Sequence, residues 1–219
     1  GYTKIAWTNP LPTYRIWTTS RGNFSAGVPQ GSILGPFLYI LYTADMPTNY
    51  HIHTSTFADD TAFLSIHKDP KIASHHLQSH IYILEKWLSK WKIKVNPSKC
   101  AQVTFTLRRG NCPNVTINNT HVPEQTHIKY LGIHLDRRLT WSQHIESKST
   151  HLKLKTVQLL WLLNSNSALN LDYKVLLYKA IIKPIWTYGI QLWGTASSSN
   201  VEKLQRRQSK ILRLITGSP

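Results

Sequence analysis

The sequence is poor in acidic residues. Only 10 Asp and Glu stand against 26 Lys and Arg in 219 residues, which gives a formal net charge of +16. The first 44 residues contain no acidic residue at all. Because a cationic excess of this size attracts polyanions through phosphate neutralisation and counterion release, the composition favours a nucleic-acid partner.

Cysteine and long apolar runs are also scarce. Cys100 and Cys112 are the two cysteines, and neither belongs to a Cys-x-x-Cys pair, so no zinc site or disulfide framework is indicated. We expect two reduced thiols. No apolar run reaches the 18 residues of a membrane span, and no signal peptide is visible. These absences predict an intracellular protein, in the nucleus or cytoplasm, without a membrane partner.

Histidine is plentiful, with 11 residues, but scattered. His76 and His80 are spaced i,i+4 on a predicted helix and could bind a metal ion from one face. Since no third ligand lies nearby in the sequence, solvated surface histidines are the expected alternative.

The periodicity of apolar residues predicts an α+β fold. Residues 1–24 are weakly patterned and predict an irregular, strand-poor lead-in. We predict helices at 33–46 (buried), 69–94, 142–164, 171–186 and 199–216, and strands at 52–57, 61–66, 101–107, 115–117 and 128–135. The net charge is confined to residues 61–219, whereas residues 1–60 carry three basic and three acidic residues.

The acidic pair in Phe57-Ala58-Asp59-Asp60 falls between two predicted strands, at the tip of a hairpin. Adjacent carboxylates repel each other, which raises the free energy of ionising both. A divalent cation would offset that repulsion, and two carboxylate-bound Mg²⁺ ions are a general device for phosphoryl transfer. An Asp-Asp pair also occurs in many ordinary turns, so the pair taken alone favours an ordinary turn.

The surrounding motifs resemble those of reverse transcriptases from non-LTR retrotransposons, most closely the jockey-like elements of insects. The resemblance extends from about Leu11 to Thr216. It is carried, in chain order, by Ala26-Gly27-Val28-Pro29-Gln30-Gly31-Ser32, Phe57-Ala58-Asp59-Asp60, Trp91, Asn96, Pro97, Lys99, Tyr130-Leu131-Gly132 and Tyr188-Gly189-Ile190-Gln191-Leu192-Trp193-Gly194.

The resemblance implies a fold and three domains. Residues 1–107 would be a partial polymerase palm, an antiparallel sheet with packed helices. Residues 108–141 would be a hairpin extension resembling a primer grip, and residues 142–219 an all-helical thumb-like region. The implied activity is RNA-directed DNA synthesis by two-metal nucleotidyl transfer with Mg²⁺, or Mn²⁺ in its place. The implied partners are an RNA template, a DNA primer or RNA–DNA hybrid, and a dNTP.

Site residues follow from the same resemblance. Asp59 resembles the family's metal-ligating aspartate, and Asp60 its partner. Gln30 and Gly31 match the loop beside the incoming nucleotide and template base, and Lys99 matches a basic residue near the triphosphate. A solvated lysine is the alternative for Lys99. The primer-grip match is Tyr130, Leu131 and Gly132, for which an ordinary buried strand is an equal alternative.

The last predicted helix has two stripes. One is apolar and would pack on the domain: Val201, Leu204, Ile211, Leu212 and Ile215. The other is basic and would offer cations to the nucleic-acid backbone: Lys203, Arg206, Arg207, Lys210 and Arg213. A solvated face is the alternative. Trp161, Trp186 and Trp193 could stack on bases, but we expect apolar packing for all three.

One expected motif is missing. The resemblance places a first metal-binding Asp well before the Gly-Val-Pro-Gln-Gly loop, and residues 1–44 contain none. We therefore expect a truncated domain with little or no polymerase activity by itself. One alternative is a non-catalytic, basic nucleic-acid-binding remnant. Another is a basic interaction protein with no nucleic-acid role.

Overall fold

The structure, a computed structural model, describes residues 2–8, 33–58 and 60–218. The fold is α+β, as predicted. It divides into two compact units, one up to Thr126 and one from His127 onward. The predicted hairpin extension, 108–141, contributes residues to both units.

The described residues form eight β-strands and eight α-helices. The strands are β1 Tyr2–Thr8, β2 Ile52–Phe57, β3 Asp60–His67, β4 Ala101–Phe105, β5 Thr116–Ile117, β6 Thr120–His121, β7 His127–Tyr130 and β8 Ile133–Asp136. The helices are α1 Leu34–Thr43, α2 Pro70–Lys90, α3 Ser142–Gln158, α4 Leu160–Leu163, α5 Leu171–Leu177, α6 Lys183–Thr187, α7 Ile190–Trp193 and α8 Ser198–Thr216, with a 3₁₀ turn at Pro97–Lys99 and a π-helical segment at Tyr178–Ile182.

A four-stranded sheet in the order β2-β3-β1-β4 forms the frame of the first unit, with antiparallel neighbours throughout. The predicted hairpin of β2 and β3 is confirmed. The irregular lead-in predicted for 1–24 is wrong at Tyr2–Thr8, which forms the strand between β3 and β4. Its residues, Tyr-Thr-Lys-Ile-Ala-Trp-Thr, include several that favour strands. They lack a clean apolar alternation, which is the local signal by which a strand is predicted.

Helix α2 covers the sheet. Asp69 caps its first turn by accepting a hydrogen bond from the Lys71 amide at 2.8 Å, and Pro70 occupies the first helical position. The face of α2 that includes Leu77 and Ile81 is buried against Phe63 of β3. The helix ends at Lys90, before the predicted residue 94, because Lys92 adopts a positive φ of 56° that an α-helix cannot contain.

Helix α1 forms as predicted, but the prediction that it is buried is wrong. None of its residues is buried, and Leu34, Phe37 and Ile40 expose more than half of their surfaces. Only its carboxyl-terminal end meets the core, through Tyr42 and the following Met46. The apolar composition of this segment predicts a helix suited to burial, but it does not indicate whether another part of the protein packs against it.

The second unit is mainly helical. Its core joins α3 and α8 through Ile145, Leu152 and Ile211. The strand predicted at 128–135 is instead the two-stranded hairpin β7–β8, because Leu131 and Gly132 adopt positive φ values of 44° and 79° and reverse the chain. Cys100 and Cys112, in the first unit, are buried thiols that form no disulfide. Across the described residues, no helix has the length and apolar character needed to cross a membrane.

Candidate functional site

The acidic tip of the first unit is a tight turn between β2 and β3. Phe57 pairs with Asp60, so the turn consists of Ala58 and Asp59. Asp60 is half-buried at the start of β3, whereas Asp59 lies outside the described residues. Ala58 has a φ of 48°, a left-handed conformation that disfavours an L-residue by about 1–2 kcal/mol. Strained backbone of this kind is often found at functional sites.

Helix α1 holds this turn. The Tyr39 hydroxyl donates a hydrogen bond of 2.6 Å to the Ala58 carbonyl. Gln30 and Gly31, the predicted nucleotide and template contacts, precede α1 directly in sequence but lie outside the described residues. The hydrogen bond therefore links the helix that follows the predicted loop to the acidic tip. Sequence reasoning missed Tyr39, since one aromatic residue in an apolar helix carries no distinguishing signal.

Asp45 anchors the other end of α1. Its carboxylate accepts hydrogen bonds from the indole nitrogens of Trp87, at 2.8 Å, and Trp91, at 3.2 Å. The Lys90 ammonium lies 3.8 Å away. The Tyr42 hydroxyl also donates to the Trp91 carbonyl, and the two rings meet edge to face. The first acidic residue of the chain thus has a structural role in joining α1 to the end of α2.

The sheet brings Lys99 to the same end as Asp60. Trp7 of β1 is level with Ala62 on one side and Ala101 on the other. Both β3 and β4 therefore begin at this end of the sheet. Strands lie about 4.8 Å apart, so the starts of β3 and β4 are separated by roughly 10 Å. Lys99 is exposed at the end of the 3₁₀ turn that leads into β4.

The acidic tip does not form a complete metal site from described residues. In residues 33–58 and 60–218, no group of three or more His, Cys, Asp or Glu side chains could hold a metal ion. Carboxylate oxygens such as those of Asp60 are the ligands that Mg²⁺ prefers, but Asp60 alone is too few. The donor chemistry therefore fits Mg²⁺, and the number of described ligands does not.

The histidine pair of α2 has another role. His76 stacks on His51 with ring centroids 4.2 Å apart, and His80 is fully buried against Phe63. The prediction of a solvated surface histidine is therefore wrong for His80. Burial lowers the pKa of His80, so this side chain is a neutral core residue.

The second turn, at Tyr130-Leu131-Gly132, is held by Tyr188. The Tyr188 hydroxyl donates a 2.7 Å hydrogen bond to the Leu131 carbonyl. A Cβ atom built on Gly132 would lie 3.4 Å from the Tyr188 ring, and one built on Gly189 only 2.8 Å from Ile133. The motif that begins at Tyr188 therefore contacts the Tyr130-Leu131-Gly132 motif, although Tyr188 and Leu131 are 57 residues apart in the sequence. The equal alternative, a continuous buried strand at Tyr130, Leu131 and Gly132, is wrong.

The basic stripe of α8 is only partly exposed. Leu204, Ile211 and Ile215 are buried as predicted, whereas Leu212 is exposed. Arg206 forms an exposed ion pair with Glu202 at 3.0 Å, and the half-buried Arg207 donates to the Ser149 hydroxyl of α3 at 3.2 Å. Three predicted cations of α8 are exposed and form no ion pair among the described residues: Lys203, Lys210 and Arg213.

The three tryptophans Trp161, Trp186 and Trp193 differ in burial. Trp193 is buried, and Trp186 packs against the core of the second unit, as predicted. Trp161 is 72% exposed, so apolar packing is wrong there. It lines an open groove of about 520 Å³ with Tyr173 and neighbouring apolar side chains.

Comparison with known proteins agrees with the motifs. Residues 3–135 match the family model of reverse transcriptase (RNA-dependent DNA polymerase). The chain is 42% identical over 200 residues to a probable RNA-directed DNA polymerase from transposon X-element of Drosophila melanogaster. It is 39% and 40% identical, over 203 and 202 residues, to RNA-directed DNA polymerases from mobile element jockey of Drosophila melanogaster and Drosophila funebris.

Each of these alignments covers 89% of this chain but only 22% of the relative, so the chain spans about a fifth of the length of the curated relatives it matches. The family model covers more than half of the chain, and it includes both the acidic tip and the second turn. The chain therefore belongs to the reverse transcriptase family, and over most of its length it is similar to polymerases of jockey and X-element.

Proposed function

We propose that this chain is part of an RNA-directed DNA polymerase and that Asp59 and Asp60 are its metal-binding carboxylates. The observation that carries the proposal is the acidic turn itself. The turn has a strained Ala58 whose carbonyl accepts a hydrogen bond from the Tyr39 hydroxyl, and it leads into the half-buried Asp60 at the start of β3. A Mg²⁺ ion, or Mn²⁺ in its place, would offset the repulsion between the two carboxylates and polarise the reacting oxygens of a nucleotidyl transfer.

The rest of the active site would surround this turn. In our proposal, Gln30 and Gly31 border the incoming dNTP and the template base. Lys99, at the same end of the sheet as Asp60, is placed to neutralise the triphosphate. A lysine acts there as a point charge on a flexible stem, so its exposure is compatible with this role.

The second unit would hold the RNA template and the DNA primer as a hybrid. We assign the primer-end contact to the turn of Tyr130, Leu131 and Gly132. The phosphate backbone would be bound by the basic face of α8. Its members are Lys203, Arg206, Arg207, Lys210 and Arg213, of which Lys203, Lys210 and Arg213 are the best exposed.

A third carboxylate is needed for two-metal chemistry, and residues 1–44 do not contain one. We therefore propose that residues 1–219 alone have little or no polymerase activity. A longer protein with an aspartate-bearing strand before the Gln30 loop would be active. Robust, Asp59-dependent synthesis by residues 1–219 alone would contradict this part of the proposal.

The test is primer extension on an RNA template by such a longer protein, with Mg²⁺ and dNTPs. We expect Asp59→Ala and Asp60→Ala each to reduce the rate by about 100-fold or more, because both remove charge from the metal site. Asp172→Ala is the matched control, since Asp172 is exposed on α5 and lies outside the proposed site. Equal rates for all three variants would refute the assignment of the acidic pair.

A second candidate function is non-catalytic nucleic-acid binding, which the exposed cations of α8 favour. It predicts salt-dependent binding of an RNA–DNA hybrid that is unaffected by Mg²⁺ and by Asp59→Ala. The polymerase proposal predicts instead a Mg²⁺-linked change in binding that Asp59→Ala abolishes. A flat response to salt would exclude both and leave a basic interaction protein.

A further inference from the structure

Tyr188 lies between the second turn and a lysine ammonium. Its hydroxyl is bonded to the Leu131 carbonyl, and its ring edge faces Gly132. The Lys148 Nζ atom of α3 lies 5.2 Å from the centroid of the same ring, within the range of a cation–π contact. One side chain therefore fixes both the position of the turn and the position of a positive charge beside it.

Three basic side chains converge near this turn. Lys129 and His134 are directly opposite each other across β7 and β8. Burial and the nearby Lys129 lower the pKa of Lys148. Burial lowers the pKa of His134, as do the charges of Lys129, His127 and Lys148. Lys129 and His134 form a cross-strand pair next to the turn, and the Lys148 ammonium lies over the ring of the tyrosine that holds it, so basic groups flank the turn.

Neither Lys129 nor Lys148 forms an ion pair within the part of the chain that the structure describes. Asp136 uses its carboxylate to accept hydrogen bonds from Thr140 and from the Trp141 amide. Glu146 lines a groove together with His134, but it lies two residues before Lys148 and therefore projects about 200° around α3 from that lysine. The arrangement therefore suits an external anion.

Helix α3 also contacts the face of α8 to which the proposed function assigns the phosphate backbone. Ser149 follows Lys148, and its hydroxyl accepts a hydrogen bond from Arg207 of that face. Because that face is proposed to bind the backbone of a strand, we expect the anion beside Lys148 to belong to the same strand rather than to a single triphosphate.

We propose that Lys148 and Lys129 bind a phosphodiester of a nucleic-acid strand beside the turn of Tyr130, Leu131 and Gly132, and that Tyr188 is the positioning residue of this site. The proposal rests on the proposed function of the second unit and extends it to three side chains that the sequence did not single out as ligands. Lys148 contacts the phosphate, and Tyr188 acts through Lys148 and the turn.

The first test is a salt titration of RNA–DNA hybrid binding by the full 219-residue chain, followed by fluorescence anisotropy. Lys148→Met should lower the affinity about tenfold and reduce the slope of log K against log salt by roughly one, because one phosphate contact is lost. Lys148→Arg should retain both. Lys153→Met is the matched control, since Lys153 is exposed on another face of α3, and it should leave the slope unchanged.

The second test addresses Tyr188. Tyr188→Phe removes only the hydroxyl and should lower hybrid affinity about threefold to tenfold, the size of one hydrogen bond. Because the Lys148 ammonium lies over the Tyr188 ring, the variant that tests action through Lys148 is Tyr188→Leu, which removes the ring. If Tyr188 acts through Lys148, the double variant Tyr188→Leu and Lys148→Met should lose much less affinity than the sum of the two single losses. Strict additivity would contradict the positioning role, since a merely structural tyrosine would weaken binding independently of Lys148.

The outcomes separate this inference from the proposed function. If the wild-type chain binds the hybrid with a steep salt dependence and Lys148→Met matches Lys153→Met, the phosphate site is refuted and the proposed function stands. Absence of salt-dependent binding by the wild-type chain would refute the proposed function itself. If Lys148→Met weakens a deoxynucleoside triphosphate and not the hybrid, the anion is a nucleotide and the backbone assignment is wrong.

Discussion

Two turns in this chain are built alike and lie next to opposite charges. In each, the hydroxyl of a tyrosine outside the turn donates to the carbonyl of a turn residue with positive φ. Tyr39 donates to Ala58 at 2.6 Å, and Tyr188 donates to Leu131 at 2.7 Å. The same way of fixing a backbone reversal thus serves both units, and what differs is the charge placed beside it.

The charge difference sets what each turn can bind. The first turn contains Asp59 and leads into Asp60, so it suits a cation. The second has Lys129 on its strand and Lys148 beside its tyrosine, so it suits an anion. The unit that carries the second turn, residues 127–219, has 14 basic and four acidic residues, against 12 and six in residues 1–126. Fold and composition are therefore both compatible with the proposed division between a metal-binding turn and a turn that binds nucleic acid.

The two turns also differ in how tightly they are seated. The second is packed through glycines, where an added methyl group would meet Ile133 or Tyr188. The first turn is held by a hydrogen bond from Tyr39 of α1. The apolar residues of α1 are exposed, and Asp45 joins the carboxyl-terminal end of this helix to α2. We expect the second turn to be the more sensitive to changes in volume, and the first to changes in hydrogen bonding.

Gly189→Ala should have the largest effect on stability. The new Cβ would meet Ile133 at 2.8 Å, and the φ of +69° disfavours any L-residue. Together these should lower the free energy of unfolding by about 2–4 kcal/mol. Gly132→Ala, with its nearest contact at 3.4 Å, should lower it by only about 1–2 kcal/mol. Urea unfolding followed by tryptophan fluorescence measures both, and a larger loss for Gly132→Ala would reverse the assignment of the tighter contact.

Asp45→Ala should come next and should act on the first unit. It leaves the indole nitrogens of Trp87 and Trp91 without their acceptor, which should lower the free energy of unfolding by about 1–3 kcal/mol. The control is Asp172→Ala, an exposed acid on α5 for which a change within about 0.5 kcal/mol is expected. If Asp45→Ala unfolds no earlier in urea than this control, α1 is not anchored by its carboxylate.

Acid should loosen the second turn. Burial, with the nearby Lys148 and His134, lowers the pKa of His144 to about 4, and its Nδ1 accepts a hydrogen bond from the His134 amide. The unfolded state, with an ordinary pKa near 6.5, therefore binds protons that the folded state does not. The contribution of His144 to stability is fully present above pH 6.5 and is lost as the pH falls towards 4.

Urea unfolding at a series of pH values checks this window. His144→Gln should flatten the profile between about pH 6.5 and 4 relative to the wild type. His151→Gln, a change on the same helix, should leave the profile as steep as before. His80, whose pKa burial also lowers, adds a separate contribution from the first unit, so the His144 variant should retain part of the slope. An unchanged slope in His144→Gln would contradict the assignment.

The sequence predicted the elements whose signals are local. The β2–β3 hairpin, the start of α2 close to residue 69 and the apolar side of α8 all follow from short-range patterns. It missed what depends on tertiary contacts: the pairing of Tyr2–Thr8 on both edges, the exposure of α1 and the burial of His80. Each of these depends on which distant surface lies opposite, and no local period encodes that.

The same limit applies to the site. Motif resemblance singled out Asp59, Asp60 and the Tyr130-Leu131-Gly132 turn, but it gave no reason to choose Tyr39 or Lys148. Both side chains matter because of tertiary contacts. The fold places the Tyr39 hydroxyl at the Ala58 carbonyl and the Lys148 ammonium over the Tyr188 ring. Tyr188 was visible as part of a motif, yet its hydroxyl contact with Leu131 was not predictable.

The proposed separate roles of the two turns, metal binding and nucleic-acid binding, are tested most directly by removing one tyrosine hydroxyl at a time. Tyr39→Phe and Tyr188→Phe should each lower stability by only about 1 kcal/mol, because both hydrogen bonds are exposed. The measurement is RNA-templated primer extension by the longer protein, with kcat and the KM for primer–template determined for each variant. We predict that Tyr39→Phe lowers kcat about threefold to tenfold with KM unchanged, and that Tyr188→Phe raises KM by a similar factor with kcat unchanged. If both variants change the same parameter, the two turns do not have separate roles.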